Sequence, residues 1–450
     1  MTTVNPLRLA FYGDDFTGST DALEFLTRAG ARTALFIEPP TPARLARYPA
    51  LQAIGVAGMT RSLGPEAMEA ELRPALSALR ALGAPHVHYK VCSTFDSSPT
   101  IGSIGRAIDV AEKIFKAKFV PLLVGAPALG RYCVFGNLFA RMGIGSDGAI
   151  HRLDRHPGMS RHPVTPAHES DLRRHLAKQT KKRIGLVDIL QLALPETEAR
   201  KALEGVLAGG AEIVLFDVLY PEQLARLGGL IDPYASRERP LFSVGSSGVE
   251  MALGAHWAAR GRLSPAGRWG DPGPAEPLLV TSGSCSPVTA HQIAWALAHN
   301  FEEVALDPVV LAKAGDSLEA LRPSMAATIA HLQAGRSVIV HTSRGKVDSG
   351  MTDWQDRSAQ ILGLALGRVI RAAIEHTGVK RAVIAGGDTS SYVARALGIE
   401  AVEMMAPLTP GAPLCRAHAP ASPVDGLEVN FKGGQVGGED YFGRVARGGF

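Results

Sequence analysis

Residues 7–19 read Leu7-Arg8-Leu9-Ala10-Phe11-Tyr12-Gly13-Asp14-Asp15-Phe16-Thr17-Gly18-Ser19, and Asp21–Ala29 follows almost at once, closed by Gly30. Leu7–Tyr12 is an apolar run of strand length. Asp21–Ala29 has the spacing of an amphipathic helix, and Gly30 stands where a helix C-terminal cap belongs. Between them lies a turn rich in glycine, carboxylates and hydroxyls. Strand, polar turn and helix in this order open an α/β layer.

The pattern repeats outward from that stretch. Apolar runs at Thr33–Ile37, Ala53–Ala57, Val87–Val91, Phe119–Val124, Ile184–Val187, Ile213–Phe216 and Leu241–Val244 alternate with amphipathic segments such as Glu66–Leu82 and Gly102–Lys116. Gly261–Pro277 breaks both periodicities with glycine and proline and reads as a linker. A second series follows, with strands at Leu278–Thr281, Val304–Leu306, Val338–His341, Ala382–Ala385 and Val429–Phe431. Its helices fall at Pro287–Asn300, Leu318–Ala334, Asp356–His376 and Ser390–Leu397, and Pro323 either kinks the second or marks its true start. The expectation is an α/β chain of two domains, 1–258 and 277–450, each a mainly parallel sheet flanked by helices. Gly130–Thr165 fits neither period and is read as a lid or an irregular excursion.

Bulk properties narrow the function. A chain of 450 residues is too long for one ordinary core. Its 46% hydrophobic and 20% charged content is globular, and a net charge of +4 without long basic runs gives no footprint for nucleic acid. Cys92, Cys133, Cys285 and Cys415 are far apart and lack C-x-x-C spacing, which argues against zinc and disulfide frameworks. No apolar run approaches the length of a membrane span, and the N-terminus lacks the basic start and apolar core of a signal peptide. No membrane partner and a cytoplasmic location are therefore expected; a homo-oligomer is compatible with all of this.

The chemistry is expected at strand ends, where open α/β sheets bind ligands. Asp14 and Asp15 are adjacent carboxylates at such an end, suited to orienting or deprotonating a hydroxyl. Thr17 and Gly18 offer a hydroxyl and an N–H group at a helix start, where anions are favoured. Asp and Thr are also good N-caps, so either Asp alone is accounted for by capping; the doublet followed by Thr-Gly favours a site. If the first sheet is parallel, Gly58–Ser62 and Cys92–Ser98 fall on the same edge. Arg61 and Lys90 then serve to hold a carboxylate, Arg61 in bidentate fashion, and Cys92, Ser93 and Thr94 complete the loop. Arg61 as a surface cation, and the serines as turn residues, are the plainer alternatives. Cys92 reads more readily as a small buried group than as a nucleophile.

The second series carries three loops of small residues at strand ends: Ser282–Ser286, Gly386-Gly387-Asp388-Thr389-Ser390 and Lys432-Gly433-Gly434-Gln435-Val436-Gly437-Gly438. Glycine lets backbone N–H groups approach a phosphate chain, and helix N-termini favour its charge. The G-x-x-x-x-G-K-[ST] segment of P-loop enzymes is absent, as are the dinucleotide fingerprint on the first unit and the protein-kinase signature set. His86 and His88 alternate along a strand without a placed acidic or thiol partner, which argues against a metal pair.

Taken together, Asp14–Ser19, Lys90–Thr94, Thr165-Pro166 with Ser170-Asp171-Leu172, Ser282–Ser286 and Gly386–Ser390 resemble the four-carbon acid sugar kinase family, in matching order and over nearly the whole chain. The resemblance implies an N-terminal domain for the acid sugar and a C-terminal domain for ATP, brought in with Mg²⁺, with the active site in the cleft between them. It implies transfer of the γ-phosphoryl group to the 4-hydroxyl of threonate, erythronate or 3-oxo-tetronate. Carried over by position, Asp14 and Asp15 are catalytic, and Thr17, Arg61, Lys90, Cys92, Ser93 and Thr94 bind the substrate. Ser282, Gly386, Gly387, Asp388, Thr389, Gly433 and Gly434 bind ATP. Two departures stand out: Asp388 where the family more often has Glu, and Lys432-Gly433-Gly434-Gln435-Val436-Gly437 where it more often reads Lys-Ser-Gly-Asn-Phe-Gly. They leave the subgroup, and so the substrate, open. A nucleotide-dependent sugar-acid oxidoreductase and a non-catalytic sugar-acid or nucleotide sensor remain as alternatives.

Overall fold

A computed structural model describes residues 7–144, 147–162, 164–314, 319–342 and 355–449. The expected helix start at Leu318 lies outside them. The chain forms two compact units, Met1–Met142 with Asp147–Gly267, and Gly143–Ser146 with Arg268–Phe450.

The first unit is built on β1 (Leu9–Gly13), β2 (Thr33–Phe36), β3 (Ala53–Ala57), β4 (His86–Lys90), β5 (Val120–Leu123), then, past the excursion, β9 (Ile184–Val187), β10 (Ile213–Phe216) and β11 (Leu241–Gly245). The order is β2-β3-β1-β4-β11-β5-β10-β9, and every neighbouring pair is parallel. Most of these strands are buried along their whole length, as expected of a parallel sheet covered on both faces. Helices Pro65–Ala81 and Ile104–Phe115 supply Leu72, Leu76, Ile108 and Phe115 to the core on Val87, Leu122 and Phe242. Register decides the site: Gly13 lies opposite both Ala57 and Lys90, and Lys90 opposite Gly245. Four loops therefore leave the sheet at one edge.

The Gly130–Thr165 excursion is not irregular throughout. It forms an antiparallel sheet of β6 (Arg131–Val134), β7 (Asn137–Arg141) and β8 (Ile150–Arg152), then short 3₁₀ turns at Leu153–Arg155 and Met159–Arg161. β6 and β7 alternate buried and half-exposed positions over only four or five residues, and β8 has three residues, none of them buried, too short a run for a period to stand out.

The second unit contains β12 (Leu279–Ser282), β13 (Glu302–Ala305), β14 (Val338–His341), β15 (Arg381–Ala385), β16 (Ala401–Thr409), β17 (Ala412–His418) and β18 (Glu428–Lys432), in the order β13-β14-β12-β15-β18-β17-β16. The first four pairings are parallel and the last two antiparallel. The hairpin β16–β17 was not expected, because Pro407 and Pro413 argue against strands. The register shifts between Met404 and Thr409 place Pro407 in an irregular stretch, where a missing donor is tolerated. Pro323 sits near the start of helix Arg322–Gln333, in the first turn that suits it.

Candidate functional site

In the first unit, Asp14 and Asp15 follow β1 and are almost fully buried. Asp15 caps helix Phe16–Arg28: its side chain accepts from Gly18 N at 2.8 Å and from Thr17 Oγ1 at 2.8 Å. Arg61, in the 3₁₀ turn after β3, reaches both carboxylates. Its Nε and Nη2 donate to Asp14 at 3.1 and 2.7 Å, and its Nη1 and Nη2 donate to Asp15 at 2.9 and 2.8 Å. Main-chain bonds fix the frame, with Asp14 N donating to Lys90 O and Arg61 N to Asp14 O. Arg61 was expected to present its fork to a substrate carboxylate; instead the fork faces the doublet. Two buried carboxylates side by side need a cation, which is the physical reason. Burial pushes the Asp14 pKa up despite Arg61, while the two carboxylates overcome burial and raise that of Arg61.

Lys90 ends β4 with its side chain buried. Its ammonium donates to Val91 O at 3.0 Å and pairs with Asp21 at 3.4 Å. Burial alone would lower its pKa, but Asp21, Glu250 and Asp14 outweigh burial and raise it. Asp21 also accepts from Ser247 Oγ. Glu250, fully buried in helix Gly248–Ala259, has its carboxyl 3.6 Å from His88 Nε2; burial pushes it up to about 8 and pushes His88 down to about 3. At neutral pH the pair is thus a protonated carboxyl against a neutral imidazole, and Lys90 pairs with Asp21, whose own pKa burial pushes up despite Lys90 and Ser247. A Cβ at Gly18 would come within 3.3 Å of Lys90 Nζ and 3.6 Å of Arg61 Nη2. Both cations therefore lie beside the start of the first helix.

The loop after β4 completes this edge. Ser93 and Thr94 are buried, and Cys92 Sγ lies 2.9 Å from Thr94 Oγ1. Burial, with Asp96 nearby, pushes the Cys92 thiol up to about 11, so it is a neutral polar group and no nucleophile. Phe95 holds a left-handed φ of 59° in this turn, a conformation costly for an aromatic residue and common where loops are shaped for function. All eight residues expected on the substrate side thus share one edge. Asp21, Ser247 and Glu250 were missed. Ser246-Ser247-Gly248 after β11 is the same small-residue signal read elsewhere, and it pointed to this helix start.

In the second unit, three loops meet. A Cβ at Gly283 would strike Thr389, and one at Gly434 would lie 2.8 Å from Ser284 Oγ and 2.9 Å from Ser286 Cβ. Gly386 has φ 122°, open to glycine alone in practice, and a Cβ there would lie 2.9 Å from Thr389 Oγ1. Ser282, Gly386, Gly387, Asp388, Thr389, Gly433 and Gly434 therefore sit on loops leaving neighbouring strand ends. Helix Gly387–Ala396 starts without a side-chain cap, and a helix N-terminus favours an anion. These features fit a nucleotide's phosphates. Among the described residues no group of three or more His, Cys, Asp or Glu side chains is placed to hold a metal. Mg²⁺ carried by phosphates needs only one or two carboxylates, so the donor set remains compatible with it. No helix among the described residues is long and apolar enough to cross a membrane.

Residues 9–253 match the family model for a sugar-binding N-terminal domain, and residues 279–442 that for a nucleotide-binding C-terminal domain. The chain is 46% identical to a 3-oxo-isoapionate kinase of Paraburkholderia graminis, covering 98% of this chain and 94% of that protein. It is 32% identical to a 3-oxo-tetronate kinase of Methylobacterium radiotolerans, covering 98% of each. A crystal structure from Salmonella typhimurium LT2 shares the fold with a TM-score of 0.75 at 25% identity, over 98% of this chain and 99% of that one.

Proposed function

The chain belongs to the four-carbon acid sugar kinase family, and we propose that it transfers the γ-phosphoryl group of ATP to the 4-hydroxyl of a 3-oxo sugar acid. That it is a kinase with a nucleotide-binding domain follows from the family; the acceptor and the position are the proposal. The observation that carries it is the Asp14–Asp15–Arg61 cluster beside Lys90, in the half of the chain that matches a sugar-binding domain. Its carboxylates accept hydroxyl protons, and its cations favour an anionic substrate. The similarity to 3-oxo-isoapionate and 3-oxo-tetronate kinases supports a 3-oxo acid.

Phosphoryl transfer needs positioning and charge neutralisation more than covalent help. In this reading the Asp14–Asp15 pair receives the acceptor hydroxyl and takes its proton as the oxygen attacks. Burial raises the proton affinity of Asp14, which makes it a stronger base than an exposed carboxylate. Arg61 holds the two aspartates in place, and the buried Ser93–Thr94 loop beside them receives the substrate carboxylate. The glycine loops of the second unit hold the phosphates, and Mg²⁺ bound with ATP supplies further charge neutralisation.

The test is ADP release with ATP and Mg²⁺ over a panel of 3-oxo-isoapionate, 3-oxo-tetronate, threonate and erythronate. Stoichiometric ADP with a 3-oxo acid is expected, with phosphorus coupling to the C4 protons in the product. No release with any member would overturn the reading. Asp15→Asn should lower kcat by roughly 10²–10⁴-fold while ADP still binds; near-normal turnover would remove Asp15 from the chemistry.

A further inference from the structure

Lys432, the last residue of β18, is fully buried. Its ammonium donates to Thr289 Oγ1 at 3.1 Å and to Gly433 O at 3.0 Å, and lies 5.5 Å from the centre of the Tyr441 ring. Thr289 in turn donates to Gly434 O at 2.9 Å. The Lys432 carbonyl accepts from Gly386 N at 2.9 Å. One side chain thus lies under the Gly433–Gly434 loop and the first turn of helix Pro287–Ala298, and its own peptide is tied to the Gly386 turn.

Among the described residues its neighbours are neutral. The helix Pro287–Ala298 offers a hydroxyl, the loop a carbonyl, and helix Tyr441–Arg447 a ring whose hydroxyl is turned to Asn430. Among the described residues no carboxylate, imidazole or second cation contributes to its balance, and burial pushes Lys432 down to about 7. A bare ammonium is unfavourable there, and the adjacent helix N-terminus, positive itself, makes it worse. Three glycine-bearing loops and an uncapped helix start open beside it. Among the described residues nothing in this arrangement supplies an anion.

We infer that Lys432 is the cation of the phosphate cradle and that it takes up one proton from solvent when a nucleotide's phosphates bind. This rests on the reading of the second unit as the nucleotide site. In the free protein near neutral pH the amine is partly deprotonated and hydrogen-bonded to Thr289 and Gly433. The arriving phosphates supply the missing negative charge, a buffer acid gives its proton to the Nζ lone pair, and dissociation returns it. Affinity then weakens by about tenfold per pH unit above 7, until the bound form itself titrates.

Calorimetric titration with ADP and Mg²⁺ at about pH 8, in two buffers of different ionisation enthalpy, tests this. The phosphates are already ionised there, so the enzyme alone should take up about nine-tenths of a proton per ADP. Lys432→Arg, charged throughout, should bind ADP without uptake. Lys432→Met should bind about 10–100-fold more weakly, also without uptake. Adenosine, lacking phosphates, should show no uptake with the wild type. ADP binding without proton uptake by the wild type, or uptake persisting in Lys432→Arg, overturns the inference and leaves the nucleotide site standing. No binding of ADP or adenosine removes the nucleotide site and this inference with it.

Discussion

Lys90 ends β4 and Lys432 ends β18, and each has its carbonyl bonded to the N–H of a loop residue across the sheet, Asp14 at 2.8 Å and Gly386 at 2.9 Å. Both side chains are buried. Around Lys90 the protein supplies Asp21 and Asp14, which help raise its proton affinity despite burial. Around Lys432 it supplies a hydroxyl, a carbonyl and a ring, and burial pulls the ammonium toward neutrality. The same backbone position thus carries a finished ion pair in one unit and half of one in the other. A buried charge left half paired marks where a ligand completes it.

The largest expected effect comes from removing each lysine in the ligand-free protein. Lys90→Met strands Asp21 and should cost about 3–5 kcal/mol of stability. Lys432→Met removes a charge that nothing among the described residues balances, and at neutral pH it should leave the protein as stable as wild type or more so. Urea unfolding of the two variants side by side measures the contrast, and equal losses would abolish it.

The pH dependence sharpens the same difference, with opposite signs. Lys432 titrates at about 7 folded and near 10.5 unfolded, so between these values the unfolded chain holds more protons and stability rises with pH. Wild type should gain roughly 1 kcal/mol per pH unit on Lys432→Met in that window, and nothing below it. Glu250 is raised from 4.5 to about 8 by burial, so between these values the folded chain holds more protons. Its contribution is present below 4.5 and is lost as pH rises to about 8. Glu250→Gln, which copies the neutral carboxyl, should gain on wild type by roughly 1 kcal/mol per unit through that range. Parallel pH profiles for wild type and Glu250→Gln would show that Glu250 is ionised throughout.

How much of this the sequence revealed follows from the kind of interaction involved. Asp14, Arg61, Lys90 and the Cys92–Thr94 loop were legible together because strand ends can be read from local patterns, and a parallel sheet gathers them on one edge. What Arg61 and Lys90 touch was not legible, since Arg61 meets the doublet 47 and 46 residues away along the chain and Lys90 meets Asp21, 69 residues away. Lys432 was read only as the residue before a glycine loop, because a lysine's burial leaves no local trace. The β16–β17 hairpin was hidden by Pro407 and Pro413, whose local preference the irregular register overrides.

The smallest effect concerns the helix caps beside the two lysines. Asp15 caps helix Phe16–Arg28 with a carboxylate, while Ser286 caps helix Pro287–Ala298 with a hydroxyl that accepts from Val288 N. Either residue type is a good cap, so helix stability alone does not choose between them. The ligands do. Beside Arg61 and Lys90 a carboxylate has cations to face; beside a phosphate chain it would meet like charge. Ser286→Asp should therefore leave the unfolding free energy within about 0.5 kcal/mol, since the cap survives and the helix N-terminus favours a negative charge. The same change should weaken ADP binding by about tenfold, roughly 1.4 kcal/mol, and leave adenosine binding unchanged. Unaltered ADP affinity in a well-folded Ser286→Asp variant would place the phosphates away from this helix start, and the hydroxyl cap would then need another reason.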